Sequence, residues 1–573
     1  MAKQNKIISN QHPVILSRCI SGLFQDLFRV LHLKRGLRGV LVMIFILTTF
    51  NSFSQTIIAG PIIGAVTDSS ANLLFLTDAY TTGFIKISNV PILLDGGNIN
   101  QDANSNNSML INFKGIDTSN KVNLFKLDFL LPNTTYHYLV SYGNSEKTGS
   151  FKTFPKSNTT SNFTFTFGSC SENFRDDSVF IEMQNHHPDV FLHLGDWTYP
   201  DHAYYPGLPT QNNHRFFVAN PEQIKESFLI RYNLPNMKSL LSTTPVDYVF
   251  DDEDGIWDDF SKKTYCDLQL INGKTVIKEI PFPDSLRDNL LTSYHAYFPG
   301  YLNPEQPNEA YHSFVYGNTE VFFLDTRSTR SPNSEVFRQN KKGVWKFKAS
   351  ASHQILDSTQ LNWLLNGLKN SKADWKIIVS GTSFNKDYKK ILDICLLKAT
   401  QNRYLPNKLT GIYVAAAMSA MWFSYPATQG KLINFCYDNK IKNVFVCSGD
   451  VHTSSIDDGK HSGFPEIVSS NLGQENTKLA SIIHNDLRLN LWNQGGQGIG
   501  NKNFNDAFGK VEVMGKDSVL LSCIDKYGTT ICSYTLKDGF IPKKYNIKRH
   551  SKITFGQKLR AVKNAVKIAV HNK

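Results

Sequence analysis

Phe191-Leu-His-Leu-Gly-Asp-Trp-Thr-Tyr199 is the stretch on which the reading of this chain turns. Its apolar half, with Phe191, Leu192 and Leu194, has the pattern of a buried strand, and Gly195 permits a tight turn at the carboxyl end. The turn presents Asp196 and, three residues later, Tyr199. A carboxylate just beyond a strand end of an open sheet is a common position for a metal ligand. Gly-Asp after a strand is, taken alone, more often an ordinary turn, so the argument rests on repetition.

The same grammar recurs three times. Phe163-Thr-Phe-Thr-Phe-Gly-Ser-Cys170 alternates Phe and Thr, then ends in a glycine turn and a thiol. Tyr248-Val-Phe-Asp-Asp-Glu-Asp254 runs from apolar residues into carboxylates, and Val444-Phe-Val-Cys-Ser-Gly-Asp-Val-His452 ends in Asp450 and His452. Four strands would therefore deliver thiol, carboxylate, phenol and imidazole to one edge of a sheet. Beyond Asn162, short apolar strands alternate with helical stretches, an α/β pattern. Helices are expected at Ser358 to Leu368, where Leu361, Leu364, Leu365 and Leu368 share one face, and at Gln429 to Asp438. Strands are expected at Val321 to Asp325, Trp375 to Ser380 and Val444 to Cys447.

These residues resemble the PhoD-like alkaline phosphatases of the calcineurin-like metallophosphatase superfamily. The resemblance is carried by Gly168-Ser-Cys170, Gly195-Asp-x-x-Tyr199, Asp251-Asp252, Asp325-Thr-Arg327-Ser-x-Arg330 and Gly449-Asp-Val-His452. Outside these motifs, Ile355-Leu-x-x-x-Gln-Leu-x-Trp-Leu364 and Ser371-x-Ala-x-Trp-Lys376 also look like the family, and the likeness runs from about residue 57 to 535. It implies a mixed α/β (α+β) protein: an N-terminal fibronectin-like β-sandwich (55–156), then a four-layer αββα metallophosphatase domain (160–540).

The resemblance also implies a dinuclear site, in which Cys170, Tyr199 and His452 hold one metal, Asp252 and Asp450 the other, and Asp196 bridges them. A phenol ionises only near pH about 10 unless a strong Lewis acid binds it, which favours Fe3+ at the first position. An all-oxygen second position suits Ca2+, or Mg2+ or Mn2+. The reaction so implied is hydrolysis of phosphate monoesters or diesters with a metal-bound hydroxide as nucleophile. Asp196, Glu253 and Arg327 are the candidate catalytic residues, and Arg327 and Arg330 the candidate phosphate contacts, with structural ion pairs as the alternative for both arginines. Glu253 stands where the family has His after the paired aspartates. A carboxylate serves as general acid only if its pKa is raised, so an enzyme restricted to good leaving groups, of phosphodiesterase or phospholipase type, is a second expectation. A non-catalytic protein that binds phosphate ligands is a third. His193, His186 and His187 read as core or loop histidines.

Charge narrows the partners. Of the formal +12 over 573 residues, +6 belongs to residues 1–38 and +10 to residues 541–573, which leaves −4 for the middle. A nucleic-acid groove across the core is not expected. Lys34, Arg35 and Arg38 precede the apolar run Gly39 to Phe50, and Ser52-Phe-Ser54 offers a small-x-small cleavage site. Residues 1–54 therefore read as a leader with a cleaved Sec-type signal peptide, and the protein as exported to periplasm, cell surface or medium. In 541–573, Phe555, Leu559, Val562, Val566 and Ala569 or Val570 form a helical stripe with Lys558, Arg560, Lys563 and Lys567 off it. Such a tail suits either packing on the core or peripheral contact with an anionic membrane.

In the N-terminal part, Leu131-Pro-Asn-Thr-Thr-Tyr-His-Tyr138 reads as a turn entering a strand, with Tyr136 placed to bond back to the turn. The regions 200–235 and 261–285 read as irregular or hairpin elements near the site, where selectivity would reside. Of the eight cysteines, Cys523 and Cys532 flank a turn and are candidates for a cross-hairpin disulfide, while Cys266, Cys395, Cys436 and Cys447 read as buried thiols.

Overall fold

The computed structural model describes residues 56–78, 82–92, 108–114, 122–172, 175, 178–197, 199, 221–254, 259–271, 274–401, 410–473, 478–546, 553–560 and 562–563. The segment expected to be a leader with a signal peptide, the stretch 200–220 and the end of the tail lie outside the described residues. Thr56–Lys573 is one compact unit.

Two six-stranded sheets dominate it. In the first, the order is Val246–Tyr248, Val190–His193, Phe163–Gly168, Ala507–Met514, Ser518–Asp525 and Thr530–Lys537. Its first three strands are parallel and the others antiparallel. In the second, the order is His312–Tyr316, Thr319–Leu324, Trp375–Thr382, Val444–Gly449, Pro465–Ser469 and Ser454–Asp458, with a parallel centre and antiparallel edges. The buried face of each sheet contributes to one apolar cluster: Phe163, Phe165 and Leu192 from the first, Phe323, Ile377, Val379 and Phe445 from the second. Burial of both faces explains why most of these strands, such as Val444–Gly449, read as apolar runs rather than the alternation seen in Phe163–Gly168.

Helices cover the opposite faces. Val179–Asn185 and Pro235–Thr243 place Phe180, Met183 and Leu240 in a cluster with Phe191 and Tyr248 of the first sheet. Ser358–Asn370 and Pro426–Asp438 place Leu364, Leu368 and Leu432 in a cluster with Phe322, Ile378 and Val446 of the second. The Ser358–Asn370 helix starts where the Asp357 side chain accepts from Gln360 N at 2.9 Å, and it buries the four leucines the periodicity singled out.

At the N-terminal end, a three-stranded sheet (Ile57–Gly64, Ala71–Thr77, Val122–Leu127) and a four-stranded sheet (Ser108–Lys114, Thr82–Ser88, Thr135–Tyr142, Ser145–Lys152) add Leu73, Phe75, Ile85 and Val140 to the same apolar cluster as the two large sheets. The Leu131 N–H donates to Tyr136 Oη at 2.8 Å, the back-bond expected of that tyrosine.

Two open alternatives are narrowed. Cys523 and Cys532 face each other in the ladder between their strands, yet both are free thiols. The tail does not bury the start of its apolar stripe: the helix over 555–560 leaves Phe555 80% and Leu559 62% exposed.

Candidate metal centre

Every candidate donor leaves the carboxyl end of a parallel strand. Cys170 follows Phe163–Gly168, Asp196 and Tyr199 follow Val190–His193, and Asp251 and Asp252 follow Val246–Tyr248. Arg327 follows Thr319–Leu324, and Asp450 and His452 follow Val444–Gly449. This is the crevice where open α/β sheets bind ligands.

The turns that reach it are unusual. Cys170, Asp196, Asp450 and His452 all have left-handed backbones, with φ of 61°, 55°, 75° and 47°. A non-glycine residue there costs about 1 kcal/mol or more, and such residues persist only where the surroundings fix them. Here they do: Cys170 N donates to Gly195 O at 3.3 Å, Ser171 N to Asp196 O at 3.1 Å, and Asp450 N to Ser169 Oγ at 3.2 Å. Gly195, with φ of 99°, is required because a Cβ there would lie 2.3 Å from Asp251 Cβ.

One donor group gathers around Asp196 Oδ2. Cys170 Sγ lies 3.2 Å from it and Tyr199 Oη 3.0 Å, and Tyr199 Oη is 3.4 Å from His452 Nε2. Ligand atoms of Cys170, Asp196 and His452 all fall within 4.8 Å of one another. Burial, then the Asp196 charge, pushes the Cys170 thiol and the Tyr199 phenol well above their ordinary ranges. A second group joins Asp196 with Asp251 and Asp252 at the same spacing. Asp450 falls outside both groups; its Oδ2 accepts from Thr382 Oγ1 at 2.8 Å and its Oδ1 is 3.4 Å from Arg327.

Arg327 is fully buried among carboxylates. It binds Asp251 through Nε and through Nη2 at 2.9 Å, and approaches Asp252 at 3.3 Å and Asp259 at 3.5 Å. Ion pairing, one of the two alternatives for Arg327, is thus the arrangement present. Arg330 is also buried; it donates to Phe260 O at 2.7 Å and Ala420 O at 3.3 Å, tying loops together. Burial raises Asp251 to about 8 and Asp450 to about 7, Arg327 opposing in both. Asp196 rises well above the usual range through burial and the neighbouring Asp252 and Asp251. Asp252, although its burial acts the other way, is held below that range by Arg327, the Asp259 N–H and Arg330.

Several residues that order the site were assigned no role in it by the sequence reading. Asp254 accepts from the backbone N–H groups of Asp196, Trp197 and Asp251, all at 2.7 Å, and so clamps two loops together. Gln360 bonds both backbone groups of Asp325 at 3.0 Å, fixing the strand end that leads to Arg327. Glu466 Oε1 accepts from Ser383 Oγ, Phe384 N and Ser448 Oγ at 2.9, 2.7 and 2.7 Å. Asp254 and Gln360 lie within motifs that the sequence reading quoted but were given no role there, and Thr382 also carried a usable signal, since its strand ends in glycine and a polar residue. Glu253 donates its N–H to Asp196 Oδ1 at 3.3 Å, and its charge is felt at Tyr199. Fully buried His193 meets Ser171 Oγ at 3.0 Å through Nε2 and packs against Trp197, as a core histidine.

The donor set fits metal ions. A thiol, a phenol, an imidazole and several aspartates converge in a largely buried volume where two arginines are the neighbouring cations. Carboxylates pushed up by burial and by each other are relieved by a bound cation.

Fold and donor set together define a metallophosphatase-like α/β protein. Residues 165–494, more than half of the chain, match the model of the PhoD-like phosphatases, and the chain belongs to that family. Alkaline phosphatase D of Bacillus subtilis (strain 168) is 23% identical over 338 residues, 57% of this chain and 52% of its own length. The chain thus spans about half the length of that curated relative. A solved structure of PhoD overlays with a TM-score of 0.60 at 17% identity, covering 91% of this chain and 100% of its own, a likeness of fold.

Proposed function

We propose that this protein is an exported, metal-dependent phosphoesterase that hydrolyses phosphate monoesters or diesters. The observation that carries the reading is the convergence of Cys170, Tyr199, His452 and four aspartates at strand ends of both sheets. Cys170, Tyr199, His452 and Asp196 would hold one ion, iron by its donors. Asp196, Asp252 and Asp450 would hold the other, calcium, magnesium or manganese, with Asp251 beside them. Such a pair of ions supplies Lewis acidity and lowers the pKa of a water toward neutrality.

The chain's own residues hold and orient this chemistry. Thr382 fixes one oxygen of Asp450, and Asp254 fixes the backbone on which Asp196 and Asp251 are mounted. Arg327 keeps Asp252 ionised and places a positive charge beside Asp450, where an anionic substrate gains from it. Glu253 occupies the position of the family's His beside Asp196. Without a ready proton donor there, esters with poor leaving groups suffer most, so the enzyme favours good leaving groups. The N-terminal sheets are read as the fibronectin-like sandwich of 55–156, ahead of the catalytic region 160–540.

The test is hydrolysis of a chromogenic phosphomonoester and the matching diester by residues 55–573, with Asp196→Asn alongside. Turnover should fall at least about a thousandfold in the variant, and its metal content should drop. The ratio of monoester to diester rates assigns the substrate class. Absence of turnover by a wild-type protein that carries its metals would leave a phosphate-binding protein instead.

A further inference from the structure

The helix that begins at residue 555 leaves the first turns of its apolar face, Phe555 and Leu559, in water, while Val562 is half-buried. Its start is fixed by a reciprocal cap: Gln557 N donates to Thr554 Oγ1 at 3.3 Å, and Thr554 N to Gln557 Oε1 at 2.7 Å. Just before it, Ile553 is buried in the cluster with Tyr388, Ile391 and Leu392, so the helix springs from a secured point on the body. Beyond that point Phe555 and Leu559, one turn apart and on one face, are 80% and 62% exposed. In the sequence the same spacing continues through Val562, Val566 and Val570. Lys558, Arg560 and Lys563 are exposed along the described part of the helix. Residues 541–573 carry ten Lys or Arg and no acid.

We propose that this segment is a peripheral anchor that lays its apolar stripe into an anionic lipid surface. A stripe of Phe, Leu and Val bordered by lysines and arginine matches the two layers such a surface offers, acyl chains below and negative headgroups above. A nucleic acid would satisfy the cations but leave Phe555 and Leu559 idle. No helix among the described residues is long and apolar enough to cross a membrane. The anchor would hold the phosphoesterase body near anionic interfaces without contributing to its chemistry.

Co-sedimentation of residues 56–573, which contain every described element, with vesicles of phosphatidylcholine alone or mixed with phosphatidylglycerol tests this. The protein should bind the anionic vesicles, ignore the neutral ones and detach as salt rises. Phe555→Asp combined with Leu559→Asp should weaken binding at least about tenfold with an unchanged melting temperature. The triple change Lys558→Gln, Arg560→Gln, Lys563→Gln, made separately, should abolish the preference for anionic vesicles. Equal binding by wild type and the Phe555/Leu559 variant, equal binding to both vesicle types, or no vesicle binding would overturn the anchor. So would retention on duplex DNA that survives loss of Phe555 and Leu559 while vesicles are ignored.

Discussion

At the strand ends of the first sheet, Asp254 holds the loops through three backbone N–H groups and uses both of its oxygens to do so. Under the strand ends of the second sheet, Glu466 holds the segments before Asp450 through two hydroxyls and one N–H, all on Oε1, while Oε2 has no partner. Both carboxylates are buried and neither is a candidate ligand. They differ in what their donors can do: backbone N–H groups cannot turn away, whereas Ser383 and Ser448 can rotate. The first half of the site is therefore fixed by its clamp, and the second is steadied by an acid that tolerates protonation.

The largest expected effect comes from breaking the first clamp. Asp254→Asn keeps the shape but sets an NH2 against a backbone donor, and should cost about 3 kcal/mol, read by denaturant unfolding. Turnover should fall about a hundredfold with it, because Asp196 and Asp251 lose their mounting. Thr382→Val tests the second half where it touches Asp450. Removing that 2.8 Å hydrogen bond should lower kcat about tenfold and leave KM within about twofold, since Arg327 still holds the other oxygen.

Glu466→Gln should have the smallest effect, and its sign depends on pH. Burial pushes the folded-state pKa of Glu466 up to about 7, against an ordinary value of 4.5. Between those values the unfolded chain releases a proton that the folded one keeps. Wild-type stability contributed by this group is thus present below about pH 4.5 and is lost as pH rises toward 7. Gln mimics the protonated acid, so the variant should match wild type within about 1 kcal/mol at pH about 5 and exceed it at pH about 8. A Glu466→Gln loss larger than that of Asp254→Asn would reverse the comparison and make the second sheet the rigid half.

The strand grammar that singled out Cys170, Asp196, Tyr199, Asp252, Asp450 and His452 as candidates is local. An apolar run and a donor lie within nine residues in each case, with a glycine turn between them in three of the four. The clamps could not be found that way. Asp254 acts on Asp196 from 58 residues away, Thr382 on Asp450 from 68, and Glu466 on Phe384 from 82. Thr382 at least ends a strand after a glycine, but nothing local tells which residue any of the three will hold. Arg327 shows the same limit: its residue type suggested either a phosphate or an ion pair, and the four aspartates it meets come from other strand ends and loops that no local spacing links to it.

The tail gives the complementary lesson. Its periodicity announced an amphipathic helix, but whether the stripe is buried depends on what the body offers beside it: among the described residues Ile553 is buried, Val562 is half-buried, and Phe555 and Leu559 are exposed. By itself, then, the sequence determined the strands, the helix faces and the donors at their ends, since each follows from side chains adjacent along the chain. Only the tertiary structure decided which donors meet, which charges compensate one another and which apolar face stays in water. Those outcomes are set by contacts between residues tens to hundreds of positions apart.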